Sequence, residues 1–254
     1  MLLFAVPAVG GKAAADILPH RAIYNMSLLA ASGGSGIATL SGRMMLEWAD
    51  VCDGWTVQQR LLLRIRDKQG REFESYSSFV TWESKDGSRY RFDQQTWRDG
   101  RRIEELRGHA ERTGTARAGM AYLTKPEARE LPLPEGTMFP SEHTLLVIAK
   151  AVQGETYLTR IVFDGSTAEG PSEVAAFLGP LTTAPDDPVT GGRMPAWPIR
   201  LAFFPLGKET AEPEYEIGLL LQENGVARDL DLDYGDFKLH AELDEFEALP
   251  APQC

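Results

Sequence analysis

Two cysteines, four histidines and three closely spaced aspartates are the residues whose chemistry this sequence puts forward. Cys254 ends the chain, and Cys52 is the only thiol able to partner it. A bond between them would close a loop of about two hundred residues, and the chain-entropy model gives such a cross-link about 5 kcal/mol. A tail reading Leu249-Pro250-Ala251-Pro252-Gln253 is a poor place for a core thiol, because tails fray unless tied down. The alternative is two unrelated thiols, one buried and one loose. Asp229, Asp231 and Asp233 have the spacing of a calcium loop, but Tyr234 stands where glycine belongs and His240 where glutamate belongs. With Leu230 and Leu232 between them, they read as the solvent face of a strand.

The remaining chemistry is sparse. His20, His109, His143 and His240 have no close spacing that suggests zinc. His143 falls in the first turn of a helix, where a neutral imidazole caps or packs, and His20-Arg21 opens a strand as a buried hydrogen-bonding pair, the alternative being a partner-facing one. Ser35 is followed by Gly36 and Ile37, so the nucleophile elbow Gly-x-Ser-x-Gly is not formed, and neither a Walker loop nor a dinucleotide fingerprint occurs. The expectation is therefore a protein without catalytic, cofactor or metal residues. An envelope hydrolase would need a histidine and a carboxylate converging on a nucleophile in one cleft.

The elements that must position these residues are mostly strands. Ala22, Tyr24, Met26 and Leu28 share one parity, and Gly33-Gly34-Ser35-Gly36 then turns the chain. Ala38, Leu40, Met44, Leu46 and Trp48 alternate before Cys52-Asp53-Gly54; Trp55, Val57, Leu61, Leu63 and Ile65 alternate after it. Runs over 71–84, 88–98 and 101–111 follow, separated by glycine turns at a spacing that predicts an antiparallel meander. Leu145, Ile148, Ala149 and Val152 recur at helical spacing between Pro140 and Gly154, which predicts one main helix over about 141–153. Strands resume over 155–164, 197–205, 214–223 and 226–247. In the last, the apolar parity changes at Gly235-Asp236, which predicts a β-bulge there. The fold class is mainly β, one strongly bent antiparallel sheet with the helix packed on the concave side.

Residues 1–15 read as a clipped signal peptide, with Ala13 and Ala15 at the small-residue positions and cleavage before Asp16. The apolar run is too short to span a bilayer. Residues 16–254 then form a single domain, with a mobile loop near 182–195 rich in Pro, Asp and Gly. The net charge of −11 argues against nucleic acid and anionic membrane surfaces as partners.

Leu18-Pro19-His20-Arg21-Ala22-Ile23-Tyr24, Ser41-Gly42-Arg43-Met44, Cys52-Asp53-Gly54-Trp55, Phe139-Pro140-Ser141-Glu142-His143-Thr144, Asp233-Tyr234-Gly235-Asp236-Phe237 and the closing Leu249-Pro250-Ala251-Pro252-Gln253-Cys254 together resemble the cell envelope integrity protein EipB family. The resemblance covers essentially the whole chain after residue 15. It implies a periplasmic protein of Gram-negative bacteria, folded as a β-spiral similar to the lipoprotein carriers LolA and LolB. It also implies a disulfide between Cys52 and Cys254, no catalytic activity, and a role in envelope integrity. Partners are then envelope proteins or cell-wall and outer-membrane components. The alternative is a carrier that shields a lipid or acyl chain in an apolar groove, and native mass spectrometry separates the two readings.

Overall fold

Alternation of apolar and polar residues carries most of this chain into strands, because a pleated strand sends successive side chains to opposite faces. A computed structural model describes residues 16–114, 118–183, 189–190, 193–207, 210 and 212–254. The expected leader over 1–15 lies outside the described residues, as does half of the expected loop near 182–195.

Eight strands run outward in sequence order: β1 (His20–Ala31), β2 (Ile37–Asp50), β3 (Gly54–Asp67), β4 (Glu72–Ser84), β5 (Arg89–Arg98), β6 (Arg101–Thr113), β7 (Ala118–Lys125) and β8 (Arg129–Leu133). Helix α1 (Pro140–Val152) then carries the chain to the other end of the sheet. There β9 (Tyr157–Val162), β10 (Ser172–Leu178), β12 (Pro195–Pro205), β13 (Tyr215–Gln222), β14 (Ala227–Asp233) and β15 (Phe237–Ala248) run back inward, with the two-residue β11 (Thr182–Thr183) beside β12. The order is β8-β7-β6-β5-β4-β3-β2-β1-β15-β14-β13-β12-β10-β9, every strand pair antiparallel and the sheet not closed. First and last strands thus meet in the middle, His20 opposite Ala248.

The sheet bends around its apolar face. Tyr24, Met26, Met44 and Leu63 pack there with Leu239, Ala241 and Leu243 from the last strand. A second cluster joins Tyr90, Phe92, Leu106 and Leu123 to Phe139 and Phe163. The helix lies at one end of the concave side, where Val147, Ile148 and Ala151 pack on Leu158, Leu178, Trp197, Ile199 and Leu221. Leu145 meets the cluster of Ile17, Trp48 and Trp55.

The far end of β9 is capped on its free side by one bridge: the Met138 N–H donates to Ile161 O at 2.8 Å, and the Phe163 N–H to Met138 O at 3.0 Å.

Two expectations are corrected. The segment over 226–247 is two strands joined at Tyr234-Gly235-Asp236, not one bulged strand, so a chain reversal accounts for the parity change. Register shifts in that region fall instead near Asp244, opposite Ile23 and Tyr24, and at Arg228-Asp229, opposite Leu220. Strands β7, β8 and β10 were not anticipated. In β10, Val174, Ala175 and Ala176 are all buried, which removes the alternation that marks a strand.

Candidate functional site

Three places concentrate the chemistry. The first is the corner where the tail returns. Past β15, the Leu249 N–H donates to Pro19 O at 2.8 Å, and Cys254 reaches Cys52 in the β2–β3 turn. The two form a disulfide with Cα atoms 5.8 Å apart. Asp50 shapes this turn: its carboxylate accepts the Cys52 N–H at 2.9 Å and the Lys85 ammonium at 2.8 Å. Burial would raise the Asp50 carboxyl, but Lys85 and the Cys52 amide prevail and hold it below the usual range. The Lys85 ammonium also sits 3.2 Å from the centre of the Trp55 ring. Both cysteines are exposed, so the bond is open to solvent reductants.

The second place is the N-terminus of α1. Glu83, 2 % exposed, accepts the Ser141 N–H at 2.7 Å and the Glu142 N–H at 2.9 Å. A carboxylate thus satisfies two amides that helix geometry leaves without partners. Burial pushes the Glu83 carboxyl up to about 7, against the Ser141 donors and the Arg112 charge. The buried Arg112 donates to Thr137 O and Gly87 O, pairs with Glu142 at 2.7 Å, and lies 4.3 Å from the Phe139 ring centre. Neither Glu83 nor Arg112 was singled out from the sequence. The available signal was parity, since both occupy inward positions beside Thr81 and Ala110.

The third place is the concave face beyond the helix. By register, Leu61, Ile65, Phe73 and Phe79 point inward from β3 and β4, yet each remains partly exposed. Leu201, Ile217, Leu219, Leu230 and Leu232 line the facing half and are likewise only partly buried. Ser75, Ser77, Gln94 and Thr96 share the inward parity. The helix fills one end of the curl, and this half-wet apolar lining marks the other. Such a surface can hold an apolar chain with hydroxyl and amide groups at its side.

The remaining candidates are dispersed. Asp229, Asp231 and Asp233 lie on the outer face of β14, where Asp231 meets His240 Nδ1 at 2.7 Å and Asp233 meets Lys238 at 2.6 Å. Among the described residues, no group of three or more His, Cys, Asp or Glu could hold a metal ion. His20 is fully buried, its Nδ1 2.7 Å from Leu18 O, while Arg21 faces outward to Glu47 and Glu247, so the two do not form a buried pair. His109 stacks on Tyr122 on the outer face. His143 is buried in the first turn of α1, where burial depresses it to about 4. The Ser35 hydroxyl donates to Ser32 O at 3.0 Å inside its own turn. Among the described residues, no helix is long and apolar enough to cross a membrane.

Known proteins share this architecture. The chain is 33 % identical over 244 residues to the protein called cell envelope integrity protein EipB of Brucella abortus, covering 93 % of this chain and 86 % of that one. The crystal structure of a beta-barrel-like protein of domain of unknown function DUF1849, also from Brucella abortus, superposes with a TM-score of 0.86 at 31 % identity. It covers 93 % of this chain and 100 % of that one. A family model described as EipB-like matches residues 11–250, which takes in both arms of the sheet, the connecting helix and the seam where the first and last strands meet; the chain belongs to that family.

Proposed function

We propose that this chain supports the integrity of the cell envelope from the periplasm, as a non-enzymatic protein whose residues 16–254 act as one disulfide-tied unit. The observation that carries the reading is full-length relatedness to a protein named for envelope integrity. The exposed Cys52–Cys254 bond adds to it, since an oxidising compartment is where such a bond persists. Its partners are then envelope proteins or components of the cell wall and outer membrane. The test is deletion of the gene in its own host, with growth measured under detergent and cell-wall antibiotics. Complementation by the full chain should restore growth, and residues 16–254 kept in the cytoplasm should not. Wild-type resistance in the deletion strain, or rescue by the cytoplasmic form, would overturn the proposal.

The partly buried apolar lining of the concave face favours a second reading, a carrier for a lipid or acyl chain. Native mass spectrometry of protein purified gently from a periplasm decides it. Added mass that matches lipid and is lost on denaturation supports the carrier; a bare polypeptide two mass units below its reduced form removes it.

A further inference from the structure

The outer face of the first half of the sheet carries a groove whose chemistry is opposite to that of the concave side. Along one rung, Trp82 pairs with Thr56 on one side and Arg91 on the other, and Arg91 is followed by His109 and Tyr122. Thr56, Trp82, Arg91 and His109 border an open groove of about 660 Å³. A Cβ added at Gly54 would lie 2.6 Å from Trp82 Nε1, so the glycine is what lets the indole lie close against β3. The guanidinium carbons of Arg89 and Arg91 sit 5.4 and 5.2 Å from the Trp82 ring centre.

Among the described residues, no carboxylate lies within 4.0 Å of either guanidinium nitrogen set. Glu111 faces Arg89 in register without forming an ion pair, whereas Arg107 is committed to Asp93 at 2.6 Å. Arg89 feels the charge of Asp86 at longer range, but neither arginine is closed off in an ion pair, and in a chain of net charge −11 the two form a local site complementary to an anion.

The face continues as a track. Three rungs from Trp82, Tyr76 and Trp97 pack at 5.2 Å between centres, with Ser78, Val80, Gln95 and Asp93 on the rungs between. Six residues along a strand span about 20 Å. Aromatic rings at both ends, amide and hydroxyl groups between them, an Asp93 carboxylate neutralised by Arg107, and two arginines without an ion pair at one end suit a linear chain of sugars bearing carboxylates. An extended peptide could not add to this face as a strand, because the backbones of β4 and β5 are paired on both sides. Nucleic acid would need many more phosphate contacts than two arginines supply.

We propose that this outer groove binds a linear anionic glycan, its carboxylates at Arg89 and Arg91 and its sugar rings along the track from Trp82 to Tyr76 and Trp97. The proposal deepens the envelope reading by naming a class of partner, and it rests on that reading only for where such a polymer would be met.

The test is calorimetric titration of the full chain with a hyaluronan hexasaccharide, which alternates glucuronate with N-acetylglucosamine. Chitohexaose serves as the neutral counterpart, and tryptophan fluorescence is read alongside. The acidic oligomer should bind with a change in fluorescence and the neutral one about tenfold more weakly, the factor that a charged hydrogen bond carries. Arg91→Ala and, separately, Arg89→Gln should weaken the acidic oligomer by about the same factor with melting temperatures unchanged, since both side chains are exposed. Equal binding of the two sugars, binding of neither, or undiminished binding by both variants would overturn the proposal. An envelope phenotype on gene deletion without glycan binding would remove this proposal and leave the envelope role standing.

Discussion

Glu83 and His143 both act at the first turn of α1, and they titrate with opposite sign. His143 is depressed from 6.5 to about 4 by burial, so between those values the unfolded chain takes up a proton that the folded one refuses. Its contribution is whole above pH 6.5 and is lost as pH falls towards 4, by about 3 kcal/mol at most. Glu83 is raised from 4.5 to about 7, so the folded chain holds a proton that the unfolded one has released. Its contribution is whole below pH 4.5 and is lost as pH rises towards 7, by a similar amount. The two slopes offset across the window they share. Urea denaturation at pH 7, 6 and 5 resolves them. Relative to the parent protein, His143→Leu should gain stability as pH falls, and Glu83→Gln should lose it. Curves that stay parallel to the parent's at all three pH values would show that neither group titrates as its burial requires. Glu83→Gln should also cost about 1 kcal/mol at any pH in this range, because its amide nitrogen cannot accept one of the two helix amides.

At the scale of elements, what was legible followed from how each segment meets its surroundings. Strands such as β1 bury one face, so their parity stands in the sequence, and turns such as Asp99-Gly100, both at positive φ, mark the reversals. Helix α1 was legible because its apolar spacing lies between a proline and a glycine. Strand β10 was hidden because Ala175 is buried on the face that should be polar. Strand β8 contains Pro132, which removes an amide donor and so counts against a strand, yet β8 is the terminal strand, where proline is tolerated. The Cys52–Cys254 pairing was legible as the only pairing two cysteines allow. The Glu83–Arg112 cluster was not, because an inward-facing charge on one strand says nothing of the distant helix end that satisfies it. The helix itself makes a testable claim. If it seals one end of the curl, Ile148→Ala, at a site 1 % exposed, should cost about 2–5 kcal/mol in urea denaturation. A loss well below 1 kcal/mol would mean that the end stays closed without it.

At the scale of the whole molecule, the first and last strands form the seam on which both arms depend. If β1 and β15 part, the sheet loses its backbone continuity and separates into two meanders, which the helix with its flanking loops and the disulfide still connect. Side chains on the outer face cross this seam: Arg21 bridges Glu47 and Glu247 at 2.7 and 3.0 Å, and Arg43 reaches Asp244 and Glu245, both at 2.8 Å. These pairs are exposed, so solvent screening leaves each of them weak. The covalent tie is stronger, since it runs from the end of β15 past β1 to the turn after β2 and closes a separation of 202 residues. The chain-entropy model gives about 5 kcal/mol as the scale of such a loop, with 2–4 kcal/mol typical of measured disulfides. Cys254→Ser should therefore lower the melting temperature in oxidising buffer, and reductant should bring the parent protein down to the variant. The position of the tie adds a sharper requirement. Hydrogen exchange in the variant should accelerate first along the seam, at the amides from His20 to Tyr24 and from Leu243 to Ala248, and last in the second cluster around Tyr90 and Phe92. Equal melting without reductant would show that the disulfide does not stabilise the fold. Lower melting with uniform acceleration would show that it acts on the unfolded chain alone and does not hold the seam shut.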